Sequence, residues 1–496
     1  MEVEHMKGGL RSRNHNLGLK RIKVREENDE EEEPLSPMAR MFHQPESNIY
    51  IVVIVGYKRL IDPDVYKITL TETFLKHSRF SCLQVADEKS GGEVKWVKTN
   101  VDINKHVKVP MVDPYMASPD KFVEDYVANL SKTPMSMSLP MWDFHILNLK
   151  TSDAESTVVV RVHHSLADGT SLMALLLSCS DALPSFPAMK KKPISRGAGW
   201  FPIWFWKSWS VLLLMWNTLV DIWMCVATTY FLKDTQTPLK APSSDVAFTP
   251  RRIVRRTFSL DDVKLVKNAT HTTVNDVVLA MTQAGLSRYL NRKYGQAKSD
   301  GEARESCENN LPNNIRLTAT LFINLRTSPG IYALEEMVKK NSKAEWGNKI
   351  GYVLYPFKIE LKDNPLDYIR DAKAKIDRKK ATLEAKFRMF MAKVFVRFYP
   401  TKLAKFPSTT MWFSNVAGPQ EPISILGNQV AFIAPSLYGQ PVALTIHVVS
   451  YVNKMSMVLS VDENIIADSY QLCDDLEEAL KLIKNCVIGE GGVIDN

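Results

Sequence analysis

The valine-rich run from Thr157 to Val162 ends in His163-His164-Ser165-Leu166-Ala167-Asp168-Gly169, and no other stretch constrains the chain as much. A strand alternates its side chains between two faces. Val158, Val160, Val162 and His164 therefore share one face, and Val159, Arg161 and His163 share the other. The two histidines point in opposite directions, so only one can face a given cavity. Residues Asp168 to Ser171 then carry a turn and helix-start signal ahead of the apolar segment Leu172–Leu177. At such a strand–turn–helix junction a rigid support can hold a side chain toward a ligand. A buried histidine pair with Asp168 as a plain helix cap is the alternative that the local pattern leaves open.

A chain of 496 residues is long enough for two domains of ordinary size. Its formal charge of +8 suits an anionic membrane surface or a CoA phosphate. No interleaved aromatic and basic pattern points to nucleic acid, so none is expected as a partner. The 6 cysteines are scattered, without a CxxC pair or metal-ligand spacing. Reduced thiols are expected, with no disulfide framework, metal or cofactor. Asn129 and Asn268 head glycosylation triplets, which matter only if those segments reach the lumen.

Residues 1–33 pass from a basic stretch to an acidic one without apolar periodicity, the pattern of a disordered tail. Residues 1–48 contain no apolar signal-peptide core. Ile49–Val55 reads as a strand buried on both faces, 63–78 as a helix, and 144–149 with 157–162 as paired strands. The second half opens near Arg251. Ser259–Asp262 and Thr273–Asp276 both fit a helix-start pattern, the latter leading a long helix to about Lys293. A solvated loop is expected over 295–314, then strands near 317–325, 350–356, 409–414, 442–452 and 455–461, and a closing amphipathic helix over 469–486. The division expected is a tail (1–33), a first domain (34–195), an apolar crossover (196–250), a second domain (251–488) and a short tail (489–496).

Trp200–Leu232 is rich in tryptophan, with Val211–Met215 at its centre and only Lys207, Asp221 and weakly polar residues interrupting it. Its length suits one bilayer span, and tryptophan favours the interface. Lys190, Lys191, Lys192 and Arg196 precede it, which keeps the N-terminal half cytosolic by the positive-inside rule. A shallow hairpin or an interfacial helix is expected, with Asp221 near the headgroups. A crossover segment packed on the protein's own surface is the alternative.

His163–Gly169 resembles the HHxxxDG signature of the wax ester synthase/diacylglycerol O-acyltransferase family, relatives of the CoA-dependent acyltransferases with an HxxxD core. Further segments agree in order. Pro34–Pro37 with Arg40 and Phe42 is similar to the family's N-terminal entry. Pro140-Met141-Trp142 stands for its Pro-Leu-Trp, with Met141 departing from the usual leucine. Thr273–Val277 resembles its Asn-Asp motif, and Asn324–Arg326 and Ser414–Pro419 resemble later landmarks. The resemblance runs from about Pro34 to about Cys486.

It implies an α/β chain of two domains, each a mixed sheet with flanking helices, and a tunnel between them. It further implies transfer of a fatty acyl group from acyl-CoA to a long-chain alcohol or to diacylglycerol, with membrane lipid nearby. The location implied is the endoplasmic reticulum membrane, with the plasma membrane as a second candidate. His164 is then the base that removes the alcohol proton, a task matched to imidazole near neutrality. His163, Asp168, Gly169, Asn275, Asp276 and Arg326 support it. Asp168 is expected to turn from the substrate and pair with an arginine, for which Arg326 is the candidate. Asn275, in the first turn of its helix, is a candidate oxyanion donor or an incidental neighbour of a cap. Gly418-Pro419 reads as a sharp turn near the channel. Two other functions stay open: a soluble acyltransferase for a small hydroxylated metabolite, and a non-catalytic lipid-binding protein of the same fold.

Overall fold

The computed structural model describes residues 33–42, 48–87, 93–184, 200–241, 249–298, 308–326, 331–339, 346–398 and 407–491. The charged tail before Glu33 lies outside them, as do the lysines at 190–192, residues 299–307 of the expected 295–314 loop, whose start at 295–298 instead continues the helix Val274–Lys298, and the end of the chain.

Two six-stranded mixed sheets organise the described residues. The first carries, in spatial order, Ser424–Ile425, Asn428–Tyr438, Tyr50–Tyr57, Ser156–His163, Trp142–Leu147 and Val107–Lys108. Tyr50–Tyr57 is buried almost throughout, as its continuous β-branched run requires of a strand covered on both faces. It pairs antiparallel with Ser156–His163, Tyr50 opposite His163. The second sheet runs Ile350–Lys358, Arg316–Asn324, Met411–Val416, Leu444–Tyr451, Lys454–Asp462 and Arg251–Ser259. Its centre is parallel, with Ser414 opposite His447. Helices Val274–Lys298, Leu366–Lys380 and Ser469–Gly491 cover it, their apolar faces joining the sheet in one core.

The linear division at Arg251 fails for one segment. Residues 424–438 belong to the second half in sequence, yet they extend the first sheet antiparallel to Tyr50–Tyr57. The physical reason is the edge: without this hairpin Tyr50–Tyr57 would present an open row of backbone donors and acceptors. A small cluster of Met38, Met41, Phe42, Trp412, Leu437 and Val442 then ties the N-terminal helix Pro37–Met41 to both halves. Gly418 passes so close to the Ser450 carbonyl that a Cβ there would lie 2.1 Å from the oxygen, so this turn admits no side chain.

Trp200–Tyr230 is one helix of 31 residues, described in side-chain detail from Ser208 onward. The shallow hairpin is not formed. No glycine falls within the helix, and Pro202 sits in its first turn, where proline is tolerated. Asp221 is not displayed at the surface either. It is 1 % exposed and held by Arg378 at 2.7 Å and Lys379 at 3.1 Å, because a buried carboxylate needs counter-charges. Other polar positions on the same face also fasten to the second domain. Asn217 donates to the Ala381 carbonyl, Thr218 accepts from the Leu383 amide and Thr228 accepts from Arg316. Leu212, Trp216, Leu219 and Trp223 remain exposed on the outer face.

Candidate active site

His164 leaves the strand ladder immediately after His163, its backbone N–H donating to the Ile49 carbonyl at 2.9 Å. The alternation read from sequence holds, and the two rings have separate surroundings. The ring of His163 is wholly buried, with Nδ1 2.6 Å from Ser165 Oγ and Nε2 2.9 Å from Asn48 Oδ1. His164 instead stacks on Phe42, ring centroids 4.0 Å apart, and lines a cavity of about 130 Å³ between the two sheets. Burial pushes the His164 pKa below the usual histidine value. Its own backbone, Asp168 and Asn348 pull it partly back up. The ring is therefore the uncharged, proton-accepting form at neutral pH.

Asp168 has two structural duties. Its Oδ1 caps helix Gly169–Ser178 by accepting from the Ser171 amide at 2.9 Å, and its Oδ2 accepts from the Lys349 amide at 2.9 Å. Arg326 closes on both oxygens at 2.9 and 3.1 Å. The guanidinium also donates to Ser171 Oγ and the Gly347 carbonyl, so the ion pair is hydrogen-bonded on several sides within the interior. Asp168 is thus a helix cap and an arginine partner at once.

The Asn-Asp segment resolves into a cap and a wall. Asp276 accepts from the Thr273 amide and hydroxyl at 2.9 and 2.8 Å, while its own amide donates to Thr273 Oγ1, a reciprocal capping box. Asn275 accepts a hydrogen bond from the Asn415 amide at 3.4 Å, and it is Asn415 that lines the His164 cavity.

Three neighbours of His164 escaped the sequence reading. Phe42 is its stacking partner. Asn348 donates to the His164 and Ser165 carbonyls at 2.8 and 3.1 Å, while its Oδ1 and His164 Nδ1 are both buried without a hydrogen bond. His447 lines the same cavity from the second sheet. Phe42 belongs to the N-terminal segment that resembles the family's entry, but nothing local places any of the three beside His164, since each reaches the site only through tertiary assembly.

A second cavity of about 100 Å³ adjoins the first, the two sharing Ile51, Gly169, Val416 and Pro435 in their walls. Val53, Phe74, Phe144 and Leu176 make it almost wholly apolar. Such a compartment accepts a hydrocarbon chain and offers nothing to a polar ligand.

A buried histidine in a cavity that adjoins an apolar compartment, on this pair of sheets, defines the class: a two-domain enzyme of the CoA-dependent acyltransferase fold. Solved structures share that fold. The wax ester synthase/diacylglycerol acyltransferase from Marinobacter aquaeolei VT8 aligns at TM-score 0.57 and 17 % identity, over 92 % of this chain and 99 % of that one. A mutant starter condensation domain of rhizomide synthetase RzmA, in complex with C8-CoA, aligns at TM-score 0.55 and 11 % identity over 92 % and 95 %. Residues 74–198 match the wax ester synthase/diacylglycerol acyltransferase catalytic domain, and 346–484 match the WS/DGAT C-terminal domain. Wax ester synthase/diacylglycerol acyltransferase 5 of Arabidopsis thaliana is 44 % identical over 485 residues, covering 93 % of this chain and 95 % of the relative. Wax ester synthase/diacylglycerol acyltransferase 11 of the same plant is 44 % identical over 478 residues, covering 93 % and 96 %. The chain belongs to the wax ester synthase/diacylglycerol acyltransferase family and is an O-acyltransferase.

Proposed function

We propose that the chain joins a long-chain acyl group from acyl-CoA to a fatty alcohol, making wax esters, with diacylglycerol as a secondary acceptor. His164 acts as the base for direct attack. The hydroxyl proton passes to His164 Nε2 as the alcohol oxygen bonds to the thioester carbon. The tetrahedral intermediate then collapses with cleavage of the carbon–sulfur bond, and the imidazolium returns the proton to the departing thiolate. No acyl-enzyme is needed. Asn348, whose side chain acts on the His164 ring, is assigned to accept from Nδ1–H when substrate is bound, leaving Nε2 free. Asp168 and Arg326 hold the turn that aims the ring. The acyl chain occupies the apolar compartment beyond Gly169.

The observation that carries this reading is the junction itself, an uncharged imidazole in a cavity whose wall continues into a hydrocarbon-lined one. The soluble small-metabolite alternative gives no use for that second compartment.

Docking at a membrane rests on the long helix. Its polar face is bound to the second domain, which favours lying in the interface over crossing the bilayer. Both halves then stay on the cytosolic side of the endoplasmic reticulum membrane. The test is a microsomal assay of labelled palmitoyl-CoA with hexadecanol or diacylglycerol, on wild type and His164→Ala. Wax ester from wild type alone is expected. Equal product from both proteins defeats the base assignment, and product from diacylglycerol alone reverses the order of acceptors. Protease protection of terminal tags reads the topology, for which same-side termini are expected.

A further inference from the structure

The base is one imidazole of two in the reaction cavity. His447 lies on strand Leu444–Tyr451, in register with Ser414 on one neighbour and Val458 on the other, and its ring faces the chamber that His164 faces from the opposite sheet. It is nine-tenths buried, its Nδ1 is shut from solvent, and it makes no hydrogen bond to any described residue. Buried polar side chains nearly always find a partner, and one that does not calls for an explanation. A second group in the same wall repeats the pattern. The Ser436 hydroxyl, on the hairpin that extends the first sheet, is 1 % exposed and also lacks a hydrogen bond. Two unsatisfied polar groups from two sheets thus line the cavity that His164 lines.

We propose that His447 is a second catalytic residue, whose ring N–H donates a hydrogen bond to the thioester carbonyl oxygen as it becomes an oxyanion. This rests on the reading of His164 as base. Burial first, and then the charge on His164, push the His447 pKa down to about 3, so the ring stays uncharged while His164 carries the proton. An uncharged imidazole there can donate without competing for that proton. As the alcohol oxygen bonds to carbon, the carbonyl π pair moves to oxygen and shortens the bond from His447. As the carbon–sulfur bond breaks, the pair returns and the hydrogen bond relaxes. His447 neither takes nor gives a proton in the cycle. Asn415 is less free for this task, since its amide is already directed at Asn275.

The experiment compares His447→Leu, His447→Gln and His164→Ala in the full chain with palmitoyl-CoA and hexadecanol, after thermal unfolding has sorted folded variants. Removing a single oxyanion donor costs on the order of a hundredfold in kcat, so His447→Leu should fall by about that factor with both KM values within about twofold. His447→Gln restores an amide donor and should recover roughly tenfold of the loss, a rescue that a packing role would not produce. If His447→Leu misfolds, the same split in His447→Gln, a lowered kcat at unchanged KM, serves as the test. Wild-type kcat in a folded His447→Leu, or a loss confined to KM, overturns the proposal, as does glutamine doing no better than leucine. Full activity in His164→Ala would instead overturn the base reading, which separates the two failures.

Discussion

Arg326 reaches across 158 residues of chain to grip both oxygens of Asp168, at 2.9 and 3.1 Å. Each side chain is about 1 % exposed. The pair joins the helix that follows the histidine motif to the end of a second-sheet strand, so the turn carrying His164 is held by both halves.

Breaking that pair from one side strands a buried charge. Asp168→Ala is expected to destabilise the chain by about 3–5 kcal/mol, as is typical when one partner of an internal ion pair is removed. Arg326→Lys keeps the charge but loses the fork and should fall between. Urea unfolding checks both. A change below about 1 kcal/mol for Asp168→Ala would contradict the internal-pair account.

The pH dependence follows from the direction of the His164 shift. In the proposed mechanism protonating His164 stops the reaction, and its pKa lies below the ordinary value of about 6.5, so kcat/KM should stay level from pH 8 to below that value before it falls. Phe42→Ala admits water beside the ring and relieves the desolvation that lowers the pKa. The acid limb should then move up, toward about 6.5. A limb unmoved by this substitution would mean that the stacked phenyl does not control the base.

Gly169 sits where the two cavities meet. A Cβ there would stand 3.6 Å from Val416 Cγ2, ordinary contact, so Gly169→Ala should fold and work. Gly169→Val projects its methyls into the passage. It should raise KM for palmitoyl-CoA at least tenfold more than for a short acyl-CoA such as butyryl-CoA, since about 1.4 kcal/mol of lost chain burial suffices for that factor. A chain-length series of initial rates reads the difference.

The outer face of the long helix should govern membrane recruitment. Trp216→Glu with Trp223→Glu removes two exposed indoles, each worth about 1.5–3 kcal/mol when buried, so vesicle binding should weaken by well over tenfold with the fold unchanged. Flotation with liposomes, beside circular dichroism, measures it. Retained binding would move the membrane contact elsewhere.

The sequence yields what depends on local period and chemistry. Strand alternation separates His163 from His164, the capping pattern at Thr273 and Asp276 is what forms, and the Asp168–Arg326 pairing follows from the family resemblance. It does not yield what depends on the meeting of sheets. Phe42, Asn348 and His447 come from three distant segments, and nothing in their neighbours, the N-terminal entry around Phe42 included, says that they meet at His164. Asn275 looks exposed in its helix turn, yet Asn415 stands before it. The long helix fails as a hairpin for a related reason: its sequence shows apolarity, whereas the partners of Asp221 lie more than 150 residues further on.

The hairpin at 424–438 has a consequence for synthesis. During translation the leading half emerges with Tyr50–Tyr57 still lacking a neighbour, and the missing flank is not made until nearly nine-tenths of the polypeptide has left the ribosome. His164 therefore spends most of that interval in an unfinished scaffold. A product truncated at the crossover lacks that flank altogether and leaves Tyr50–Tyr57 as an open sheet edge.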